Sequence, residues 1–340
     1  MRTIGALPAR VQRALGGRAV RIDGQELHPE IQLALKLLRL TAGRTFEQLP
    51  LSQGRAQISR EAWVFGDSLP VGTVRDLTVP GPAGPLAARL YRPSGLGGSS
   101  ALLVYFHGGG WVLGDLESAD SACRFLAVHA GLSVLSIDYR LAPEHPFPAG
   151  VEDAVAAYRH AVDNAESLGV DPAAIGVGGE SAGGNLAAVV SQITHAEPGP
   201  APAFQLMFFP VTDLSTKHAS YLLFSDGFFL TEAQMDWYRD HYLTHPGEAL
   251  DPRVSPLLAD SLSGLPPAYV AVAGFDPLRD EGEAYARRLG EAGVPVTLRR
   301  HEGLVHGIVN ATGVGRSGRD ALLEAAGALR GGLTALAGRR

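Results

Sequence analysis

Only one cysteine, Cys123, occurs in the 340 residues. An internal disulfide is therefore impossible and a cysteine-built metal centre is excluded; the apolar-periodic surroundings point to a packed core thiol. No segment approaches the ~20 consecutive apolar residues that span a bilayer, so no stable membrane insertion is expected. Residues 1–20 carry arginines but no apolar run of signal-peptide length, and the expected location is cytoplasmic. Charge is sparse too: 19% of residues are charged and 46% hydrophobic, which argues against disorder and for a sizeable core. The net charge of −6 is spread without like-charge runs. Without a basic stripe, no nucleic-acid partner is expected. There is no internal repeat or low-complexity linker, and the length suits one large catalytic domain with an insertion or cap.

Residues 1–60 lack strand character. Within them, 31–40 (IQLALKLLRL) place Ile31, Ala34, Leu35 and Leu38 at helical spacing, with Pro29 and Glu30 suited to the first turn. That helix either packs on the main domain or forms part of a lid. From 72 onward strands dominate. VRDLTVP (74–80) and LAARLYRP (86–93) flank a turn-rich GPAGP, which predicts an antiparallel hairpin. Apolar strands follow at 101–107, 132–138, 174–179, 204–210 and 268–274, and a last strand, VTLRRHE, at 296–302. Helices are predicted near 151–168, 182–195, 281–292 and 318–337. This alternation predicts an α/β fold with a mostly parallel sheet covered by helices on both faces. An aromatic-rich helical stretch at 213–250 interrupts it and reads as an insertion at the carboxyl end of the sheet, where such folds bind ligands.

Gly179-Glu180-Ser181-Ala182-Gly183 matches G-x-S-x-G. The pattern is weak alone, but it sits between the strand AIGVGG and a helix beginning GGNLAAVV. A turn this tight admits only small residues two positions either side of its centre and lifts the serine hydroxyl above the sheet edge. His107-Gly108-Gly109-Gly110-Trp111 follows the strand ALLVYF and is the more specific signal. Its glycines can leave backbone N–H groups bare for a developing oxyanion. Gly108 and Gly109 are the first choices as donors, with Ala182, and Gly110 shapes the turn. His107 reads as structural. Trp111 either walls the substrate pocket or joins the core.

A serine hydrolase needs a base and an acid to orient it, in the chain order Ser, Asp or Glu, His, each after a strand. Asp276 lies just past the strand AYVAVAG; Asp280, at the next helix start, is explained by capping or the helix dipole. His306, on a glycine-flanked loop, is preferred to His301, which lies within a strand. The expected chemistry is two-step acyl transfer to Ser181 with no metal or organic cofactor.

HGGGWVLGD (107–115), DYRLAPEHPFPA (138–149), GESAGGNL (179–186), DPRVSPLLA (251–259), DPLRDEG (276–282) and HGI (306–308) together resemble the bacterial hormone-sensitive-lipase-like esterases. The resemblance implies an α/β-hydrolase fold with an eight-stranded sheet and a helical cap. That cap would combine an N-terminal segment (1–60) with the 213–250 insertion on a catalytic domain spanning 61–340. It implies a Ser181, Asp276, His306 triad, oxyanion donors among Gly108–Gly110 and Ala182, and small-molecule esters of short to medium acyl length as substrates. A homodimer through an edge strand is also compatible with it. Glu180 stands where many members carry aspartate. It is counted with Trp111, Phe228, Phe229 and Trp237 among residues expected at the substrate, although the cap aromatics could equally be the cap's own core. In DYRLAPEHPFPA the resemblance and the prolines favour a rigid structural loop. An amidase or an interfacial lipase is the alternative enzyme. A ligand-binding receptor of the same fold would be expected to have lost the base, and His306 is present.

Overall fold

The structure, a computed structural model, describes residues 4–41, 43–96 and 99–333. Its N-terminal part holds α1 (Ala9–Gly16), a small hairpin of β1 (Arg21–Ile22) and β2 (Gln25–Glu26), α2 (Pro29–Thr41) and α3 (Leu51–Phe65). The chain continues with β3 (Thr73–Gly81), β4 (Gly84–Arg92), β5 (Ser100–Phe106), α4 (Leu116–Ala130) and β6 (Ser133–Asp138). Then come α5 (Ala149–Asp163), α6 (Ala165–Leu168), β7 (Val170–Glu180), α7 (Ala182–Ala196) and β8 (Gln205–Phe208). The excursion between β8 and the next strand carries α8 (Ala219–Leu223) and α9 (Glu232–Tyr242). The chain closes with β9 (Ala268–Phe275), α10 (Arg279–Glu291), β10 (Val296–Val305) and α11 (Ser317–Leu333).

The eight strands β3–β10 form one sheet in the order β10-β9-β8-β7-β5-β6-β4-β3. Only β4 runs against its neighbours; the strands from β6 to β10 pair in parallel. The α/β-hydrolase fold expected from the sequence is borne out. The side-chain period of two on a strand explains why both faces are apolar. In β5, Leu102, Val104 and Phe106 enter one buried layer, with Val151, Leu186 and Leu289 from the helices covering that face. Ala101, Leu103 and Tyr105 enter the other, with Phe125, Leu126 and Leu322. β5 feeds β6 on one side while β7 lies on its other side, so the strand order reverses there. Such a switch point is where doubly wound sheets open a crevice beyond their strand ends.

Three features differ from the sequence reading, and part of a fourth expected element lies outside the described residues. The N-terminal part does contain strand: Asp23 and Gly24 take φ of 55° and 75° and turn the β1–β2 hairpin. Asp-Gly is the residue pair such a turn favours, but two-residue strands carry no readable periodicity. Helix α3 was not foreseen, and a boundary at residue 60 falls inside it. The helix expected at 151–168 breaks at Asn164, whose side-chain amide donates to the His160 carbonyl at 2.9 Å. The final helix is described to Leu333, so 334–337 of the expected span lie outside the described residues.

Candidate active site

The polar side chains emerge where strands stop. Phe106 of β5 pairs with Gly179 of β7, and Phe275 of β9 pairs with Val305 of β10. The sheet therefore delivers the 107–111 turn, Ser181, Asp276 and His306 from level strand ends. Ser181 takes φ of 57° and ψ of −119°, a left-handed conformation unusual for a residue with a Cβ. The crowding is physical: a Cβ on Gly183 would overlap the Phe106 carbonyl, and one on Gly179 would stand 2.5 Å from the Gly183 carbonyl carbon. Ser181 is the N-cap of α7, yet its hydroxyl makes no capping bond. It faces His306 instead, with Oγ 3.0 Å from Nε2. The other ring nitrogen, Nδ1, lies 2.8 Å from Asp276 Oδ2. Asp276 is fully buried, and its Oδ1 accepts the Leu278 N–H at 2.9 Å. Phe209 backs the imidazole with its ring centroid 4.6 Å away. Ser181 and His306 are themselves only 8% and 7% exposed, so the constellation lies beneath a cover.

Asp280 and His301 stand elsewhere. Asp280 accepts the Ser220 N–H at 2.8 Å and so holds the start of α8. His301 remains within β10, half-buried.

The glycine turn requires a correction. Gly108, a first choice as an oxyanion donor, gives its N–H to Glu180 Oε1 at 2.8 Å inside the protein. A buried N–H already paired with a carboxylate is not available to a substrate. The N–H groups of Gly109, Gly110 and Ala182 have no partner among the described residues. Gly109 and Gly110 take φ of 106° and 60°, conformations open chiefly to glycine. His107 is fully buried, stacked on Tyr139 at 4.4 Å, with Nδ1 2.7 Å from the Gly108 carbonyl. Asp115 ends the segment by capping α4 through the Ser118 N–H at 2.8 Å. Among the described residues no group of three or more His, Cys, Asp or Glu side chains is placed to hold a metal ion.

Comparison with known proteins gives the family and the class of enzyme. Residues 103–310 match a family model described as an alpha/beta hydrolase fold. The carboxylic ester hydrolase LipN of Mycobacterium tuberculosis is 46% identical across 96% of this chain and 89% of its own length. The chain belongs to the hormone-sensitive-lipase-like esterase family. An ethyl acetate hydrolase of Pseudomonas putida is 38% identical across 82% of this esterase and 91% of its own length. The solved structure of a metagenomic ester hydrolase from Lake Arreo superposes with a TM-score of 0.87 at 44% identity, covering 90% of this chain and 98% of that one.

In this esterase several residues expected at the substrate are packed away. Trp111 is buried, stacked on Tyr242 at 4.1 Å. Phe228 packs edge-on to Phe224 and against Phe275. Trp237 meets Phe46 and His241 within the cap. Glu180 is 3% exposed and bonded to Tyr105, Gly108 and Asn310. Burial lifts its carboxyl above the ordinary range, with the hydrogen bonds from Tyr105, Asn310 and Gly108 opposing. Phe229 alone of the group is substantially open, at 46%, and its ring would lie 3.0 Å from a Cβ placed on Gly307. The sequence reading missed Tyr238: its ring occupies the place a Cβ of Gly110 would need, and it stacks on Phe46 at 5.3 Å. It also missed Arg55, which donates to the Val112 and Ala142 carbonyls at 2.9 Å each. Arg55 thereby ties α3 to the segment after the glycine turn. Tyr105 carried a faint signal, a hydroxyl within an otherwise apolar buried strand. Asn310 carried none.

Proposed function

We propose that the chain is a serine carboxylesterase in which Ser181 is the nucleophile, His306 the base and Asp276 the acid that orients it. The observation carrying this reading is the hydrogen-bonded line from Asp276 through His306 to Ser181, with heavy-atom spacings of 2.8 and 3.0 Å. These are distances at which a proton can pass between base and nucleophile. Asp276 accepts the Nδ1 proton, which leaves Nε2 as the acceptor facing the hydroxyl.

In the first half-reaction Nε2 takes the Ser181 proton as Oγ bonds to the ester carbonyl carbon. The carbonyl oxygen becomes an oxyanion, held by the N–H groups of Gly109, Gly110 and Ala182. The tetrahedral species collapses, the C–O bond to the alkoxy group breaks, and His306 returns the proton to the departing alcohol. Water then gives a proton to His306 and attacks the acyl-enzyme. Collapse releases the carboxylic acid and regenerates the Ser181 hydroxyl. Each donor in such a hole contributes about 10²–10³ in kcat.

The substrate reading is esters of short to medium acyl chain rather than long-chain lipid. The aromatic layer of Phe46 and Tyr238 closing on Gly110 supports it, since a long chain on that side would displace the cap. A cytoplasmic setting and a homodimer through an edge strand belong to the same proposal; β10 and β3 are the outermost strands of the sheet. Among the described residues no helix is long and apolar enough to cross a membrane. The test is a panel of p-nitrophenyl esters of rising acyl length, with and without emulsion, on wild type and Ser181→Ala. Activity concentrated on short chains and absent in the variant is expected. A jump in rate at the emulsion boundary with long-chain preference contradicts the esterase reading.

A further inference from the structure

We propose that Glu180 is a positioning residue for the oxyanion turn, locking it to the loop that carries His306. The inference rests on the triad reading above and assigns a task to the acidic residue beside the nucleophile.

The carboxylate gathers donors from three separate segments. The Tyr105 hydroxyl donates to Oε2 from β5. The Gly108 N–H donates to Oε1 at 2.8 Å from the turn after β5. The Asn310 side-chain amide donates to the same Oε1 at 3.0 Å, from the turn that follows His306. A carboxylate in a buried site must have its lone pairs filled, and here they are filled by β5 and the turn after it together with the turn that follows His306.

The bonds act on two successive peptide planes. The plane joining His107 to Gly108 is held at both ends: the Tyr139 hydroxyl donates to the His107 carbonyl at 2.8 Å, and Glu180 takes the Gly108 N–H. The plane joining Gly108 to Gly109 has its carbonyl 2.7 Å from His107 Nδ1. In a trans peptide the N–H points opposite to the C=O. Fixing the Gly108 carbonyl toward His107 therefore aims the Gly109 N–H away from it. Glu180 fixes the plane from which that turn starts, and it does so by spending the N–H of Gly108. The far side of the turn is held separately, with the Gly109 carbonyl accepting the Val112 and Leu113 N–H groups at 3.1 and 2.8 Å, so Glu180 anchors its near side, the plane that precedes the Gly109 N–H. The same oxygen bonded to Asn310 references the turn to the base, so the oxyanion donors and His306 are set against one point.

The experiment compares Glu180→Leu, Glu180→Gln and Asn310→Ala with wild type, and includes Ser181→Ala. Each is measured for kcat and KM on a short p-nitrophenyl ester and for inhibition by an aryl trifluoromethyl ketone. The adduct of that ketone with a serine hydroxyl bears an oxyanion. Leucine cannot accept any of the three bonds, so kcat should fall by about 10²–10³, the value of a misplaced donor, with KM within about threefold. Ketone affinity should fall in step. Glutamine keeps an oxygen for Gly108 and Asn310 and offers its amide to the tyrosine oxygen, so it should restore kcat to within about tenfold of wild type. Asn310→Ala, which alters a half-buried side chain, should cost about tenfold in kcat. The inference is overturned by a folded Glu180→Leu enzyme that turns over within about threefold of wild type. It is equally overturned by glutamine being as damaging as leucine, or by ketone affinity staying put while kcat falls. If the leucine variant does not fold, unchanged kcat in Asn310→Ala overturns it. Persistent turnover in Ser181→Ala is a separate outcome that removes the triad reading itself.

Discussion

Replacing Asp276 by asparagine should silence the enzyme while leaving its shape intact. The side chain is fully buried and its two oxygens do different work: Oδ1 accepts the Leu278 N–H at 2.9 Å, and Oδ2 faces His306 Nδ1 at 2.8 Å. Asparagine has one acceptor and one donor end. The backbone N–H of Leu278 can only donate, so the amide oxygen must turn toward it and the NH₂ toward His306. Nδ1 must then accept, which puts the ring proton on Nε2, the nitrogen that ought to receive the Ser181 proton. The wrong tautomer is worth about 10⁴ in kcat, or about 5.5 kcal/mol of transition-state stabilisation. The assay is kcat on a p-nitrophenyl butyrate substrate, beside a urea-unfolding curve showing that the fold persists. A variant within about tenfold of wild type would refute the proton assignment.

Three further outcomes follow from the packing and the charges. Gly183→Ala should destabilise by at least about 2 kcal/mol, measured by urea unfolding, because the new methyl overlaps the Phe106 carbonyl. Arg55→Ala should cost about 1–3 kcal/mol in the same assay through the orphaned Val112 and Ala142 carbonyls. Its ion pair with half-exposed Glu144 adds little to that figure. Burial drives the Glu281 carboxyl well above 4.5, against the opposing pull of the Thr212 and Asp213 N–H groups. A carboxyl raised in the folded state adds stability that is present below the unfolded value and lost as pH climbs through the folded one. Unfolding midpoints of Glu281→Gln against wild type should therefore shift in the variant's favour as pH rises above 4.5. A variant-minus-wild-type difference that falls over that range contradicts the sign.

The inner strands of the sheet were legible because they are buried on both faces, and continuous apolar runs such as 101–107 survive in the sequence whatever the neighbours are, while the edge strands β3 and β10 are largely exposed. Ser181 and Asp276 could be singled out for a related reason, since each lies two positions past one of those runs, whereas His306 was marked by its glycine-flanked loop after the last strand and by chain order. The role of Glu180 could not be read that way. Its partners Tyr105, Gly108 and Asn310 lie 75, 72 and 130 positions away, and nothing local marks them as neighbours. The same blindness put Gly108 among the oxyanion donors, because a glycine run shows where N–H groups can be bare but not which one is already taken. The cap aromatics failed differently. Trp237 and Phe228 have the size and polarity of pocket walls, and only the arrival of Phe46 and Phe275 beside them shows that Phe228 is core and that Trp237, half-buried, packs against it.

The most direct measurement is labelling with a fluorophosphonate followed by peptide mass spectrometry, with residual turnover read in the same sample. One adduct per chain on the Ser181 peptide is expected, with activity lost in proportion to occupancy. Turnover that survives full occupancy of Ser181, or an adduct found on another residue while Ser181 stays free, would contradict it.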